Sequence, residues 1–395
     1  MKNLLFTLLI ICSTTAFTQI EVTTITPEIE GSGGLSLDED GNLYIADFGD
    51  FLGMPDPNGL PNHILKMDTD FNITQYATDF IGASGNDFDS NGVLFQSDIR
   101  ANAIYKIVGG VRTFVTNDGI ASPVGIAFDS NDNFYVCNCG DSTIRKVTPS
   151  GTSTLFASGS LFACPNGMTV DENDNIYVVN FSNSNIVKIT PSGTTSIIAN
   201  TNAGTGNGHI DYDINSRNLY VASYSGNQIY SVNIDNKEID VIAGTGIRGN
   251  DDGDAATATF STPNGIAVSV TGDSIYVNCA VPLSGAMINP QVIRLLTGVN
   301  SLSVPEYDAF SEVLVYPNPA SDVFTIEGVL TDYFGNLNIR IYDIQGKLVK
   351  EIAANTSDGL IFKQSIAISE LKTGNYLFKI SDGSKQIYSG KLIKN

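Results

Sequence analysis

A sentence-like motif with a period of about 40 residues runs through most of this chain, the signature of stacked supersecondary units. It consists of a Gly, a short apolar strand closing on Asp, a tight polar turn, an apolar residue followed by Tyr, and an Ile-x-Lys strand. It reads GLSLDEDGNLYIAD from Gly34, GIAFDSNDNFYVCN from Gly125 and GMTVDENDNIYVVN from Gly167. Weaker copies begin at Gly85, His209 and Gly265, so successive starts are 51, 40, 42, 42 and 56 residues apart. No single motif constrains the fold as strongly as this repeat.

Each unit offers four extended runs. In the third unit these cover 125–129, 134–138, 144–147 and 154–157, with turn chemistry (DSNDN, TPSG) between the first pair and the last pair. Asp, Asn, Gly and Pro favour such turns through side-chain capping and the backbone angles they permit. Four antiparallel strands make one propeller blade, so six units predict six blades. The second strands align Tyr44, Phe95, Tyr135, Tyr177, Tyr220 and Tyr276, which read as packing between blades. The third strands align Lys66, Lys106, Lys146, Lys188, Ser231 and Arg294, which read as a solvated outer edge. The sixth unit lacks a fourth strand after Leu296, while EVTTIT at 21–26 has no unit of its own. The N-terminal strand is therefore expected to complete blade six and remove an exposed edge.

The stretch IAGTGIRGNDDGDAATATFSTPNGIAV, residues 242–268, carries GTG, DG and TPNGIAV elements. With the repeat, it resembles the NHL-repeat propellers, close to the six-bladed gluconolactonase-type group, over roughly residues 20–300. The resemblance implies fold more than activity, because one scaffold hosts many functions.

The repeat stops near Asn300, and 301–312 read as a linker. From Val313 the texture changes to alternating strands with turns at PNPASD, DIQGK, KTGN and SDGSK, which predict a small Ig-like β-sandwich over 313–395. YPNPASD, IYDIQGKLV, LKTGNYLFKI and the basic tail 391–395 closely resemble the C-terminal sorting domain (type A) of type IX secretion cargo. The resemblance implies a bacterium of the Bacteroidetes type and handling by the type IX machinery. The expected fold class is thus all-β, a six-bladed β-propeller over 19–300 followed by the sandwich.

Residues 1–18 read as a signal peptide: Lys2, an apolar run at 4–11, then Ala16-Phe17-Thr18 as a cleavage site. No other segment is long and apolar enough to cross a membrane as a helix. The expected location is secreted, or the outer-membrane surface after passage through the periplasm. A formal charge of −21 excludes nucleic acid as the expected partner. From Val313 onward there are nine Lys plus Arg and eight Asp plus Glu, so the negative charge resides before the sandwich.

In a propeller, the loops before first strands and after second strands share one face around the axis, a common ligand position. The longest loops, 48–62, 244–263 and 280–291, belong there and are expected to form one raised rim. Asn166, His209 and Asn264 approach the opening on first strands. Asp47, Asp98, Asn138, Asn180, Ser223 and Cys279 end second strands. This polar ring suits a hydroxyl-rich ligand or a divalent cation such as calcium, with Asn166, Asn264 and Asp47 as the metal candidates. Its alternative reading is capping of turns and backbone groups. Resemblance to gluconolactonase-type enzymes implies a central metal on Glu, Asn and Asp. Asn166 or Asn264 answers to the Asn, but Glu30 is displaced from the Glu position. His63 and His209 are too few for the zinc site of the amidating lyases of similar fold. DEDGN, DSNDN and DENDN imitate a calcium loop without its distal Glu and belong to the opposite face. No motif specifies a cofactor. Cys139 and Cys164 fall on the same face of adjacent blades, which makes them the disulfide candidates.

The leading expectation is a secreted or cell-surface binding propeller whose loop-rich face holds a protein, glycan or small polar ligand. The alternative is a metal-dependent lactonase or esterase-like hydrolase with a central site.

Overall fold

A computed structural model describes residues 20–50, 61–202, 206–281, 288–299, 310–330, 337–343, 347–354, 361–382 and 385–395. The chain divides into two compact units, 1–303 and 304–395.

In the first unit the strands form six antiparallel sheets, five of them in simple up-and-down order. Blade three is typical: Pro123–Phe128, Phe134–Asn138, Thr143–Val147 and Ser153–Ser158 pair in sequence. The first strand of each blade contacts the first strand of the next, and that of blade six, Ile266–Val268, contacts that of blade one, Leu35–Leu37. The six sheets therefore close into a ring.

Blade six carries the closure. Glu21–Thr24 pairs antiparallel with Gln291–Thr297, Val22 opposite Leu296, and so supplies the fourth strand. Ile20 and Val22 are buried beneath it. A fifth strand, Gly253–Asp254, lies outside it, and the Ala255 amide bonds the Ile20 carbonyl at 2.9 Å. Within the 244–263 connection Gly253–Asp254 thus lies along the edge of blade six, while Asn250 Nδ2 donates to the Ala280 carbonyl at 3.0 Å, where the 280–291 loop begins. Of the other two rim loops, 51–60 and 282–287 lie outside the described residues.

The aromatic column packs as its residue types require. Tyr44 meets Tyr76 and Phe88 edge-on at 4.9 and 5.1 Å, and Phe88 belongs to blade two. The lysine column is more than a solvated edge. Lys66, Lys146 and Lys188 sit opposite Tyr44, Tyr135 and Tyr177 and lie over their rings at 5.1, 5.0 and 5.4 Å. Lys146 also pairs with Asp129 at 3.0 Å, and Lys66 reaches Asp38 at 3.5 Å. Each blade so equipped ties its first three strands together by ring, cation and carboxylate.

Arg294 departs from its column. Leu295 stands opposite Tyr276, and Arg294 stands opposite Val277. A one-residue offset turns a side chain to the other face of a sheet. Arg294 is consequently fully buried, over the Phe260 ring at 5.1 Å. It donates to the Thr259 carbonyl at 2.8 Å, and to the Asp251 carbonyl and Asp252 Oδ1 at 2.9 Å. Asp252 Oδ1 in turn accepts the Thr24 amide at 2.9 Å, so the buried cation helps anchor the closing strand.

The second unit is a two-sheet sandwich. Phe310–Tyr316, Val323–Leu330 and Ile361–Ala367 form one sheet. Leu337–Asp343, Leu348–Ala354, Gly374–Asp382 and Lys385–Lys394 form the other. Phe324, Ile326 and Phe362 from the first pack with Ile339, Phe378 and Leu392 from the second in one core.

Candidate functional site

The repeat glycines meet at the axis. A methyl group at Gly85 would come within 2.3 Å of the Val124 carbonyl oxygen, and one at Gly125 within 2.6 Å of the Asn166 oxygen. Only glycine lets neighbouring blades approach so closely. His209 breaks this column. Its Cε1 lies 3.1 Å from where a β-carbon on Gly34, four blades away by sequence, would stand, so the imidazole fills the axle. Its amide donates to the Asn264 carbonyl at 2.7 Å. Burial holds its pKa down to about 4, so the plug is neutral at physiological pH.

On the loop face the expected polar ring serves as blade-to-blade and loop staples. Asn166 Nδ2 donates to the Gly208 carbonyl at 2.8 Å, and Asn264 Nδ2 to the Ser32 carbonyl at 2.7 Å, each crossing to the next blade. Asp98 accepts the amides of Ile81, Gly82 and Ala101. Asn138 and Asn180 each bond a preceding loop carbonyl, of Gly119 and Leu161, at 2.8 Å. No side chain of these five bonds another. Of the metal candidates, Asn166 and Asn264 give their amide nitrogens to the Gly208 and Ser32 carbonyls. Asp47 instead stands with Glu30 and His63, whose ligand atoms all lie within 4.8 Å of one another. That cluster could hold a divalent cation. Asp47 Oδ1 there already accepts Ser32 Oγ, the Gly49 amide and Asn289 Nδ2 at 3.0, 3.0 and 2.9 Å.

The calcium-like turns are capped by their own carboxylates. Asp38 Oδ1 accepts the amides of Asp40 and Asn42, and Asp129 and Asp171 repeat the arrangement with their own turns. Cys139 and Cys164 are joined in a disulfide, and Cys137 and Cys279 are buried free thiols.

The other mouth of the axle holds a constellation that the sequence did not single out. Below the His209 plug the first strands surround a funnel of about 300 Å³. Two residues past each repeat glycine stand Ser36, Asp87, Ala127, Thr169, Asp211 and Ala267, a hydroxyl–carboxyl–methyl order that occurs twice around six blades. Asp87 Oδ1 accepts the Phe88 amide at 2.8 Å, and Oδ2 accepts the Phe128 amide of blade three at 3.3 Å. Asp211 repeats this with Tyr212 at 2.8 Å and with Val268 of blade six at 2.8 Å. Burial, and then the charge of Asp211, push Asp87 up to about 7. Burial raises Asp211 to about 6. The funnel lining contains no Lys or Arg.

Asn86 is the anomaly of this mouth. One residue past the glycines the other five positions are Leu35, Ile126, Met168, Ile210 and Ile266. Asn86 is 7% exposed and lines the funnel, yet neither its Oδ1 nor its Nδ2 has a hydrogen-bond partner. Ser36 Oγ is also unpartnered. Buried polar groups left this way cost on the order of 1–3 kcal/mol each unless something binds them.

The fold defines an exported propeller protein: a six-bladed wheel followed by a sorting sandwich. Residues 314–395 match the model of the secretion system C-terminal sorting domain, and residues 162–189, within blade four, match the NHL repeat. The sorting domain directs the protein out of the cell, to the medium or the outer-membrane surface, through the type IX machinery. No helix among the described residues is long and apolar enough to cross a membrane. No curated protein matches the sequence. Solved structures share the propeller. One is a protein of unknown function from Bacteroides thetaiotaomicron, with TM-score 0.56 and 13% identity, covering 70% of this chain and 76% of that one. An auxiliary nutrient binding protein from Bacteroides ovatus gives 0.55 and 15%, covering 71% and 76%. A gluconolactonase from Xanthomonas campestris gives 0.52 and 12%, covering 70% and 89%. At these identities the likeness is one of fold.

Proposed function

We propose that this protein is a binding module displayed or released outside the cell, and that its propeller receives a small polar ligand in the axial funnel. The observation that carries the reading is Asn86, a buried amide with both ends unpartnered beside two part-buried carboxylates. Such a recess is preformed for recognition. The fold it shares with a nutrient binding protein of a Bacteroides species is consistent with this role. A lactonase-type hydrolase is not favoured, since at 12% identity the likeness to a gluconolactonase is one of fold.

The test is a thermal-shift survey of the mature protein against small polar metabolites, repeated with Asn86→Leu. A compound that raises the wild-type Tm and leaves Asn86→Leu unmoved supports the reading. A survey without hits, or hits indifferent to Asn86, overturns it.

A further inference from the structure

Resting on that reading of the funnel, we infer that its ligand is a small hydroxyl-bearing organic ammonium ion, held between Asp87 and Asp211 and oriented by Asn86.

Three observations converge. The first is charge. Two carboxylates face one recess from blades two and five, and the other titratable groups lining it are Asp213, Tyr212 and the His209 imidazole, which burial keeps neutral. Nothing in the lining offers a compensating cation, so the ligand must bring the positive charge. Burial raises both carboxyls, and a bound ammonium would restore the ionised form of each.

The second is coordination. Both oxygens of Asp87, and both of Asp211, already accept a hydrogen from backbone or from Thr169 Oγ1, the last at 3.4 Å. Calcium seeks six to eight oxygen ligands in a flexible shell. Acceptors that are already half engaged and held in the sheet suit the directed N–H donors of an ammonium better. Asn86 adds a donor as well as an acceptor, and a bare cation can answer only the acceptor. A ligand hydroxyl answers Nδ2, and another satisfies Ser36 Oγ.

The third is the wall. Leu35, Ile126, Met168, Ile210 and Ile266 give the recess an apolar surface between its polar points. A carbon skeleton packs there, whereas a tightly hydrated ion would have to shed water against it. The space equals about ten water molecules at liquid density, enough for a small amine with some water retained.

The experiment uses the mature full chain and matched probes: glucosamine against glucose, ethanolamine against ethylene glycol, and calcium chloride alone. Binding is read by calorimetry and thermal shift. The two amines should bind, their neutral counterparts should not, and Asp87→Asn/Asp211→Asn should weaken amine binding at least tenfold. Asn86→Leu should abolish binding while raising the Tm of the unliganded protein, which separates a lost contact from a damaged fold. Amine binding should also weaken as pH falls from 7 to below 6. Equal binding of neutral and amine probes overturns the ammonium assignment and leaves the binding reading intact. Calcium binding without amine binding does the same. Failure of every probe overturns both.

Discussion

Asp87 and Asp211 are counterparts across the wheel: each accepts the amide that follows it and the equivalent amide of the next blade, Phe128 for one and Val268 for the other. Their shared geometry has a measurable consequence in pH. Asp87 titrates near 7 when folded against 3.8 ordinarily, and Asp211 near 6. For a group raised in this way, the stability it contributes is fully present below the unfolded value and lost as pH rises through the folded one. Asp87→Asn should therefore match wild type near pH 4 and exceed it at pH 8 by a few kcal/mol, about 1.4 for each pH unit of the shift before solvent screening of this part-buried group is allowed for. His209, lowered to about 4, acts in the opposite sense, losing its contribution as pH falls. It is common to both proteins, so the difference isolates the carboxyl. Urea melts at pH 4, 6 and 8 check this; a constant difference refutes it.

The axle offers a second test. Gly34→Ala places a methyl group 3.0–3.2 Å from Gly85 Cα, the His209 ring and the Ser84 oxygen, whereas Gly85→Ala drives one to 2.3 Å from the Val124 oxygen. The approach at Gly85 is the closer and is to a sheet carbonyl, so Gly85→Ala should be the more destabilising. Combining Gly34→Ala with His209→Gly should recover part of the loss from either change. Melting temperatures of the four-variant cycle measure the coupling, and strict additivity would refute the contact.

Ring closure predicts a large loss on trimming. Removing residues 20–26 exposes the edge of Gln291–Thr297 and leaves Asp252 without the Thr24 amide. The Tm should fall by many degrees, and an unchanged melt would disprove the role of this strand.

The Cys139–Cys164 bridge spans 25 residues and should contribute about 3 kcal/mol, the usual size for a loop of that length. Replacing both cysteines with serine should lower stability accordingly. Denatured, unreduced mature protein should show two thiols, Cys137 and Cys279; four would remove the bridge. Burial raises both thiols, Cys279 to about 12, so neither should react before unfolding.

Export provides a cellular test. A chain ending before residue 314 lacks the matched sorting domain and should accumulate in the periplasm. Normal delivery of that truncation would exclude the sorting role.

The wheel was legible because glycine marks five of the six blades and Tyr or Phe marks all six, and because Glu21–Thr24 had no sheet of its own to join. Arg294 was misplaced by one position, since the sixth unit is the least regular and alternation alone does not fix register. Asp98, Asn138 and Asn180 show a different limit: the same side chains cap loops and ligate ions, and only their observed partners separate the two. The funnel escaped notice because Asp87 and Asp211 look like ordinary polar positions in short strands. A signal was nevertheless present, in the twofold order of hydroxyl, carboxyl and methyl that emerges when the six first strands are aligned.

Blade six unites the opening strand of the propeller with its final one. A polypeptide crossing a membrane head first delivers Glu21–Thr24 at the outset and its partner Gln291–Thr297 only some way past the midpoint of the journey. In the interval Ile20 and Val22 are an oily, unpaired tail. Passage time thus becomes a folding clock: the latch cannot shut until the last spoke has arrived, and a chain halted midway stays open to proteases and holdases.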